Sequence, residues 1–450
     1  MNSEASSDSS IVGLGYVGLT LAMAFDDAGY STVGYDIDGE RIRELRDGHD
    51  PTGEFGDERI AESDVTFTDS PKDLADSRFV LVALPTPVDE TQTPDLDNLE
   101  FASETIGRHI SDGTTVVFES TLYPGATREV LRPALERGAG EQGGVDFSVG
   151  YSPERIVPGG GGPKLAEATK VVSAEDEATL VKLVALYESL AEGEVYAADT
   201  IETAEASKCL ENTQRDVNIA LVNEFTMACR QLDFELDPYE VLETAKTKWN
   251  FHDYEPGVVG GHCIPVDPHY LRHRFEESGY TPNLIRAARG VNREMRRYAF
   301  SLTLDALYSA KFEEAEQHPN LRTEGALPES VAGSRLLLLG FAYKPNVPDL
   351  RNSLLADIVS QLRELDLELL GWDPFYEEQS LPEKFDLDVQ SEPDFTDVDA
   401  AVVLTPHDEI REFDLESMAR RMADDPVLVD IGNAFDREKA AACGFTYRRL

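Results

Sequence analysis

The chain has 450 residues, 41% of them hydrophobic, with 86 Asp and Glu against 40 Lys and Arg and a formal net charge of -46. That length predicts two or three domains, and the acidic excess excludes nucleic acid as an expected partner. The acids are sprinkled through amphipathic segments such as "SAEDEATLVKLVALYESLAEGE", which reads as a halophilic surface: in molar salt the Debye length falls to about 3 Å and like charges scarcely repel.

The N-terminal "MNSEASSDSS" is polar, with no basic region or apolar run. No apolar segment of transmembrane length follows, so neither secretion nor a membrane span is expected. Cys209, Cys229, Cys263 and Cys443 form no CxxC pair, which argues against a disulfide framework or zinc knuckle and for a reducing cytoplasm.

The first pattern in chain order is strand, glycine turn, helix and strand: "SSIVGLGYVGLTLAMAFDDAGYSTVGYDID". Gly13-x-Gly15-x-x-Gly18 forms the turn and Asp36 closes the second strand. In that setting Gly13 permits a tight turn, Gly15 lets backbone approach a pyrophosphate and Gly18 lets helix pack on strand. Asp36 accepts ribose hydroxyls, and an acid there favours NAD over NADP. An ordinary glycine-rich turn is the competing reading, opposed by the two strands and the acid. Ser9 and Ser10 are polar where a buried parallel strand is usually apolar, which suggests that the strand starts after them.

Further strand candidates, "RFVLVALPTP", "TTVVFEST" and "DFSVGYSPERI", alternate with helical patterns to about residue 200. Polar residues stand at their C-terminal ends: Pro85 and Thr86, Ser120 and Thr121, Glu154 and Arg155. Open α/β sheets bind ligands at that edge. From Thr203 to about Ala310 the pattern is helical, and a long helix sets Lys208 and Asn212 one turn apart on one face, with Arg215 a further turn on. A polar stripe of this kind is usually a solvated face; here two cations and an amide share it in an acid-rich chain. The segment 313–334 reads as a linker or exposed loop. Beyond it "RLLLLGFAYKPNVPDLRNS", "LELLGWDP", "AAVVLTPHDE" and "PVLVDIGNAF" predict a second sheet without the glycine fingerprint. The predicted fold class is α/β, with two Rossmann-like doubly wound domains, 1–200 and 335–450, joined by a central helical segment, 201–312, with a long helix.

Reactive chemistry is most concentrated in "PGVVGGHCIPVDPHYL". Cys263 follows a glycine loop and precedes a helix start, a setting that favours an activated thiolate over the buried thiol that is the usual fate of a free cysteine. Asp267 followed by Pro268 reads as an N-cap, a role compatible with a second one in chemistry. A metal reading is also open, from Cys263, His269 and His273 completed by His262 or Asp267, but no HExxH or CxxC accompanies it and no metal is expected. His262 is a poor base for its neighbour, because adjacent side chains diverge.

The motifs "GLGYVGL", "PTP", "EST", "SPERIVPG", "EASKCLENTQRDVNIALVNE", "GVVGGHCIPVDPHYL" and "LGFAYKPNVPDLRNS", in this order over residues 11 to about 435, resemble the nucleotide-sugar 6-dehydrogenases of the UDP-glucose and GDP-mannose dehydrogenase family. "SPERIVPG" and "GGHC" are most similar to the UDP-N-acetylmannosamine branch. The resemblance implies oxidation of a sugar C6 hydroxyl to a carboxylate with two NAD in turn, a cytoplasmic homodimer associating through the helical middle, and a place in polysaccharide biosynthesis. UDP-N-acetylglucosamine and UDP-glucose are the alternative substrates, and a nucleotide-sugar-binding protein without turnover is the alternative of another class. By position the resemblance implies Cys263 as nucleophile, Lys208 and Asn212 on developing oxyanions, Asp267 and Glu154 on protons and the hydrolytic water, and Thr121 ordering water. It implies cofactor contacts at Gly13, Gly15, Tyr16, Val17, Gly18, Asp36, Arg41, Pro85, Thr86, Thr121 and Arg351. Substrate contacts are implied at Glu154, Arg155, Lys208, Asn212, Tyr254, Gly260 and Lys344. Arg155, Lys164, Lys208, Arg215, Arg289, Arg293, Lys344 and Arg351 fall in or beside these motifs, where a UDP group needs cations. The chain departs from the family pattern at "AKTKWNFHDYEP", where Lys246, Lys248 or Trp249 stands in for an intersubunit arginine, and at Gly432, where relatives often carry arginine.

Overall fold

The computed structural model describes residues 8–155, 169–190, 193–311, 331–347, 349–350, 353, 355–376 and 387–450. Packing divides the chain into two compact units, Met1–Asn212 with Val266–Pro282, and Thr213–Pro265 with Asn283–Leu450.

The first unit is built on eight strands: β1 (Ser9–Val12), β2 (Thr32–Tyr35), β3 (Thr66–Thr68), β4 (Phe79–Val82), β5 (Thr115–Phe118), β6 (Ser148–Tyr151), β7 (Lys170–Ala174) and β8 (Val195–Ala197). They lie in the order β3-β2-β1-β4-β5-β6-β7-β8. Neighbours pair in parallel except β6 with β7. The order 3-2-1-4-5-6 is that of a dinucleotide-binding sheet, whose switch point falls between β1 and β4. Ile11, Leu19, Phe25, Ile42, Phe67, Leu81 and Val117 form its core.

The strand β1 does not start late. Ser9 and Ser10 belong to it and are fully buried, with Ser9 Oγ 3.1 Å from Thr32 Oγ1 and Ser10 Oγ 2.5 Å from Ser77 Oγ. A buried hydroxyl is tolerated when it finds such a partner.

The second unit carries β9 (Arg335–Leu339), β10 (Glu368–Trp372), β11 (Asp388–Val389), β12 (Ala400–Val403), β13 (Val427–Asp430) and β14 (Thr446–Arg449). Their order is β11-β10-β9-β12-β13-β14 and every pair is parallel. The run "RLLLL" is apolar throughout because both faces of β9 are covered. Leu336 and Leu338 pack with Met295, Ala299 and Phe300 of the helix Asn283–Lys311, while Leu337 and Leu339 pack with Trp372 and Phe395. Among the described residues the chain between β8 and β9 forms helices: Ile201–Cys229, Pro238–Lys246, Asp267–Glu277 and Asn283–Lys311. Among the described residues no helix is long and apolar enough to cross a membrane.

Candidate functional site

In the first unit the turn after β1 has the geometry that a dinucleotide needs. Gly13 has φ +89°, and a Cβ there would lie 2.8 Å from Ala83 O. A Cβ on Gly18 would lie 1.7 Å from Gly13 O, so helix Tyr16–Asp27 can approach the turn only without one. At Gly15 a Cβ would meet no protein atom within 4 Å. Here glycine is not demanded by the protein's own packing, as expected of the position facing a pyrophosphate. Tyr16 and Val17 open the helix and are partly exposed. Asp36, 7% exposed, accepts from Leu14 N at 2.7 Å and from Arg41 Nη1 at 2.9 Å, which fixes its carboxylate beside the turn. The C-terminal ends of β4 and β5 supply the rest of this edge. Pro85 is exposed and Thr86 partly so, Thr86 O accepts from Tyr270 OH at 2.9 Å, and Ser120 Oγ bridges Leu84 N and O, with the partly exposed Thr121 beside it. These residues fit a bound NAD.

The same unit gathers a polar trio. Lys208 and Asn212 lie on one face of the helix Ile201–Cys229 and are 9% and 7% exposed. Asn212 Nδ2 donates to Asp267 Oδ2 at 2.6 Å. Asp267 is the first residue of its helix, not the cap: Val266 holds that place, and Asp267 makes no capping bond. At 2% exposure its carboxyl is pushed up to about 6 by burial, against the opposing pull of Lys208 and Asn212. A carboxyl held there can pass a proton near neutral pH. Arg215, a turn beyond Asn212, is exposed and outside this group.

Glu154, at the end of β6, is 9% exposed and accepts from Lys170 Nζ at 3.0 Å. Lys170 also reaches Glu119 Oε2 at 2.6 Å. Lys170 lies in no motif that would have marked it, and Glu119, although it opens the "EST" motif, stands 51 residues away from it. Arg155 turns its guanidinium to Glu211 and Thr169 O.

In the second unit the thiol loop rests on Tyr343. Gly261 has φ +86° and its Cβ would lie 2.9 Å from the Tyr343 ring. His262 stands edge-on to that ring and 3.7 Å from Asp349. Cys263 is exposed, Cys209 and Cys229 are buried, and Cys443 is partly covered. Asn223 clamps the start of the loop from both sides, donating to Gly257 O at 3.0 Å and accepting from Gly257 N at 2.9 Å. A pocket opens beside it, lined by Gly257, Gly260, Tyr343, Thr405, Arg411 and Gly432 among others. It lies beyond the C-terminal ends of β9, β12 and β13, the ligand edge of an open sheet.

Arg411 was not marked by the sequence. At Gly432 a Cβ would sit 2.5 Å from Pro406, so the position leaves no room for a larger side chain, and Arg411 brings a cation to the same pocket. Tyr254 bonds Gln214 at 3.0 Å, and Lys344 is partly buried next to Tyr343. Arg289 is spent on Asp216, 2.5 Å away and fully buried, and is not available to a ligand. Lys246 pairs with Glu243 and Asp253, and Trp249 is 91% exposed. Arg351 and Lys164 lie outside the described residues, as do most of 313–334 and the end of "SPERIVPG". Among the described residues no group of three or more His, Cys, Asp and Glu could hold a metal ion.

The UDP-glucose/GDP-mannose dehydrogenase family matches along the chain, with its NAD binding domain at residues 8–191, its central domain at 202–294 and its UDP binding domain at 337–437. The chain belongs to that family. It is an NAD-dependent UDP-sugar dehydrogenase, an oxidoreductase, and the glycine turn described above lies within its NAD binding domain. Protein CapL of Staphylococcus aureus is 39% identical over 402 residues, covering 89% of this chain and 90% of that protein. A UDP-N-acetyl-D-glucosamine 6-dehydrogenase of Pseudomonas aeruginosa is 37% identical over 431 residues, covering 96% and 97%. The solved structure of a UDP-D-ManNAc dehydrogenase from Pyrococcus horikoshii matches with a TM-score of 0.83 at 30% identity, over 98% of this chain and 99% of that one.

Proposed function

We propose that this dehydrogenase oxidises C6 of a UDP-N-acetylhexosamine to the carboxylate through a covalent bond to Cys263. The exposure of Cys263, on a glycine-bearing loop and in contrast to the two buried cysteines, is the observation that supports it. NAD, bound at the glycine turn, supplies the hydride acceptor for both oxidations. In this reading Asp267 takes the hydroxyl proton and Lys208 and Asn212 stabilise the oxyanion that develops at the same oxygen. The thiolate of Cys263 adds to the aldehyde carbon to give a thiohemiacetal, whose oxidation leaves a thioester. Water, ordered by Thr121, then adds to that carbon, Glu154 accepts its proton, the carbon–sulfur bond breaks and the uronate leaves. Arg155, Tyr254, Gly260, Lys344 and Arg411 hold the nucleotide sugar.

Relatives named for glucosamine and mannosamine substrates support the N-acetylhexosamine class. The mannosamine epimer is the reading of the "SPERIVPG" and "GGHC" segments, and the glucosamine epimer is supported by the 37% identity above. The working form is a homodimer in a salty cytoplasm. Leu210 and Leu221, three turns apart on the long helix and 59% and 63% exposed, offer it an apolar surface. The net charge of -46 supports the salt adaptation.

NADH release in concentrated KCl with UDP-N-acetylmannosamine, UDP-N-acetylglucosamine and UDP-glucose tests the proposal. Two NADH per sugar is expected with one of the N-acetyl substrates. One NADH per sugar means a simple alcohol dehydrogenase, and none across the panel means a binding protein. Cys263→Ser should stall before the acid forms; full acid production by that variant defeats the covalent route.

A further inference from the structure

Three charged side chains meet in the interior of the first unit: Lys170 Nζ lies 2.6 Å from Glu119 Oε2 and 3.0 Å from Glu154 Oε2, with side-chain exposures of 4%, 0% and 10%. They come from three places in the sheet, the start of β7 and the C-terminal ends of β5 and β6. A buried ion triad is poor structural cement, since an apolar set of similar volume is often as stable or more so. This one stands at the ligand edge of the sheet. Only Glu154 of the three has a role in the proposed reaction.

We infer that Lys170 and Glu119 are positioning residues acting through Glu154: Lys170 aims the Glu154 carboxylate and faces it with a positive charge, while Glu119 shares the same lysine and faces it with a negative one. Together they fix the charge against which Glu154 takes a proton from water. The inference rests on the proposed role of Glu154 as the base of the hydrolytic step.

The surroundings agree with that division of labour. Glu154 Oε1 accepts from Arg155 N at 2.5 Å, so the carboxylate is gripped at both oxygens and cannot turn freely. Tyr187 donates to Glu119 Oε1, and its ring lies 5.4 Å from Lys170 Nζ. Among the described residues Arg155 also stands beside the trio and pairs with Glu211 of the long helix. With three ionised groups the site would carry a net negative charge out of water. Burial, the largest cause, pushes the Glu119 carboxyl up to about 7 against the pull of Lys170, and the two carboxylates raise Lys170. Above that value Glu119 carries the second negative charge that Lys170 must balance.

The two positioning residues act with opposite sign, which gives the test. Activity is measured from about pH 5 to pH 9 with UDP-N-acetylmannosamine and UDP-N-acetylglucosamine for wild type, Glu154→Gln, Lys170→Met, Glu119→Gln and the Lys170→Met, Glu119→Gln double variant. Lys170→Met should move the acid limb of kcat to higher pH and Glu119→Gln to lower pH, each by about 1 to 3 units, the usual effect of a close charge. The double variant should return towards wild type, and KM for NAD should stay unchanged throughout. Should Lys170→Met fail to fold, Glu119→Gln with its downward shift carries the test alone. A trio that merely ties strands together would lower the melting temperature and leave both limbs in place, which overturns the inference. Full turnover by Glu154→Gln would instead remove the reading on which it rests. Infrared difference spectra add a readout without turnover: the protonated-carboxyl band that appears near pH 7 should be absent from Glu119→Gln, and its survival there overturns the assignment.

Discussion

Asn212 donates to Asp267 at 2.6 Å and so ties the middle of the long helix to the first residue of the helix Asp267–Glu277. The amide favours the ionised carboxylate, and burial opposes it. Asn212→Ala removes part of the favourable side and leaves the rest to Lys208. In a single turnover of the alcohol oxidation the acid limb, expected near the Asp267 value of about 6, should move to higher pH, with that rate down about 100-fold once the proposed proton acceptor and oxyanion contact are both disturbed. A pH–rate profile settles it; an unmoved limb would separate Asp267 from the chemistry.

Gly15 and Gly18 should respond in opposite ways to the same methyl group. Gly18→Ala drives a Cβ into Gly13 O, and the damage should appear as lost stability of about 2 kcal/mol or more. Gly15→Ala meets nothing in the protein, and its φ of -72° suits alanine. Its melting temperature should match wild type while the KM for NAD rises about tenfold, the effect of about 1.4 kcal/mol. A Gly15→Ala protein with normal NAD affinity would contradict the placement of the pyrophosphate.

Glu205 is fully buried on the long helix and accepts from Gly125 N at 2.6 Å and Thr127 N at 2.9 Å, holding the loop that follows Thr121. Burial is the main cause that pushes its carboxyl from 4.5 up to about 7. A carboxyl that keeps its proton more tightly when folded contributes stability at low pH that is lost as pH rises through the folded value. The linked free energy is about 3 kcal/mol. Glu205→Gln cannot titrate, so its melting temperature should gain on wild type between about pH 5 and pH 8. A constant difference across that window would show that Glu205 does not titrate there.

Asp216 accepts from Arg289 at 2.5 Å and from Asn292 at 2.7 Å, and Asn292 in turn accepts from Asn223, the clamp on Gly257. Removing the carboxylate strands a buried guanidinium. Asp216→Ala should lose about 3 to 5 kcal/mol in denaturant unfolding, and Asp216→Asn less. A loss under about 1 kcal/mol would mean that water reaches Arg289.

What the sequence makes legible follows the range of the interactions. The turn at Gly13, Gly15 and Gly18, the two sheets and the long helix are written in local periodicity and in backbone demands that few residues satisfy. Cys263 and its glycines stand together in the chain. Lys170 could not be read in this way, because a lysine at a strand start is an unremarkable residue until two carboxylates arrive from elsewhere. The capping pattern of Asp267 and Pro268 misled for a related reason. Local chemistry offers the aspartate a backbone partner, but Asn212, 55 residues away, takes the carboxylate instead. Arg411 gave no signal because its importance depends on Gly432 and Pro406 closing the other side of the pocket.

The paired hydroxyls of β1 carry a consequence for assembly of the sheet. Apolar strands attract one another in almost any alignment, and concentrated salt strengthens that indiscriminate pull. Ser9 and Ser10 are satisfied only when Thr32 and Ser77 stand opposite them; a slip by one place would entomb two thirsty oxygens. The first strand of the sheet thus keeps a polar key that only the right alignment can turn.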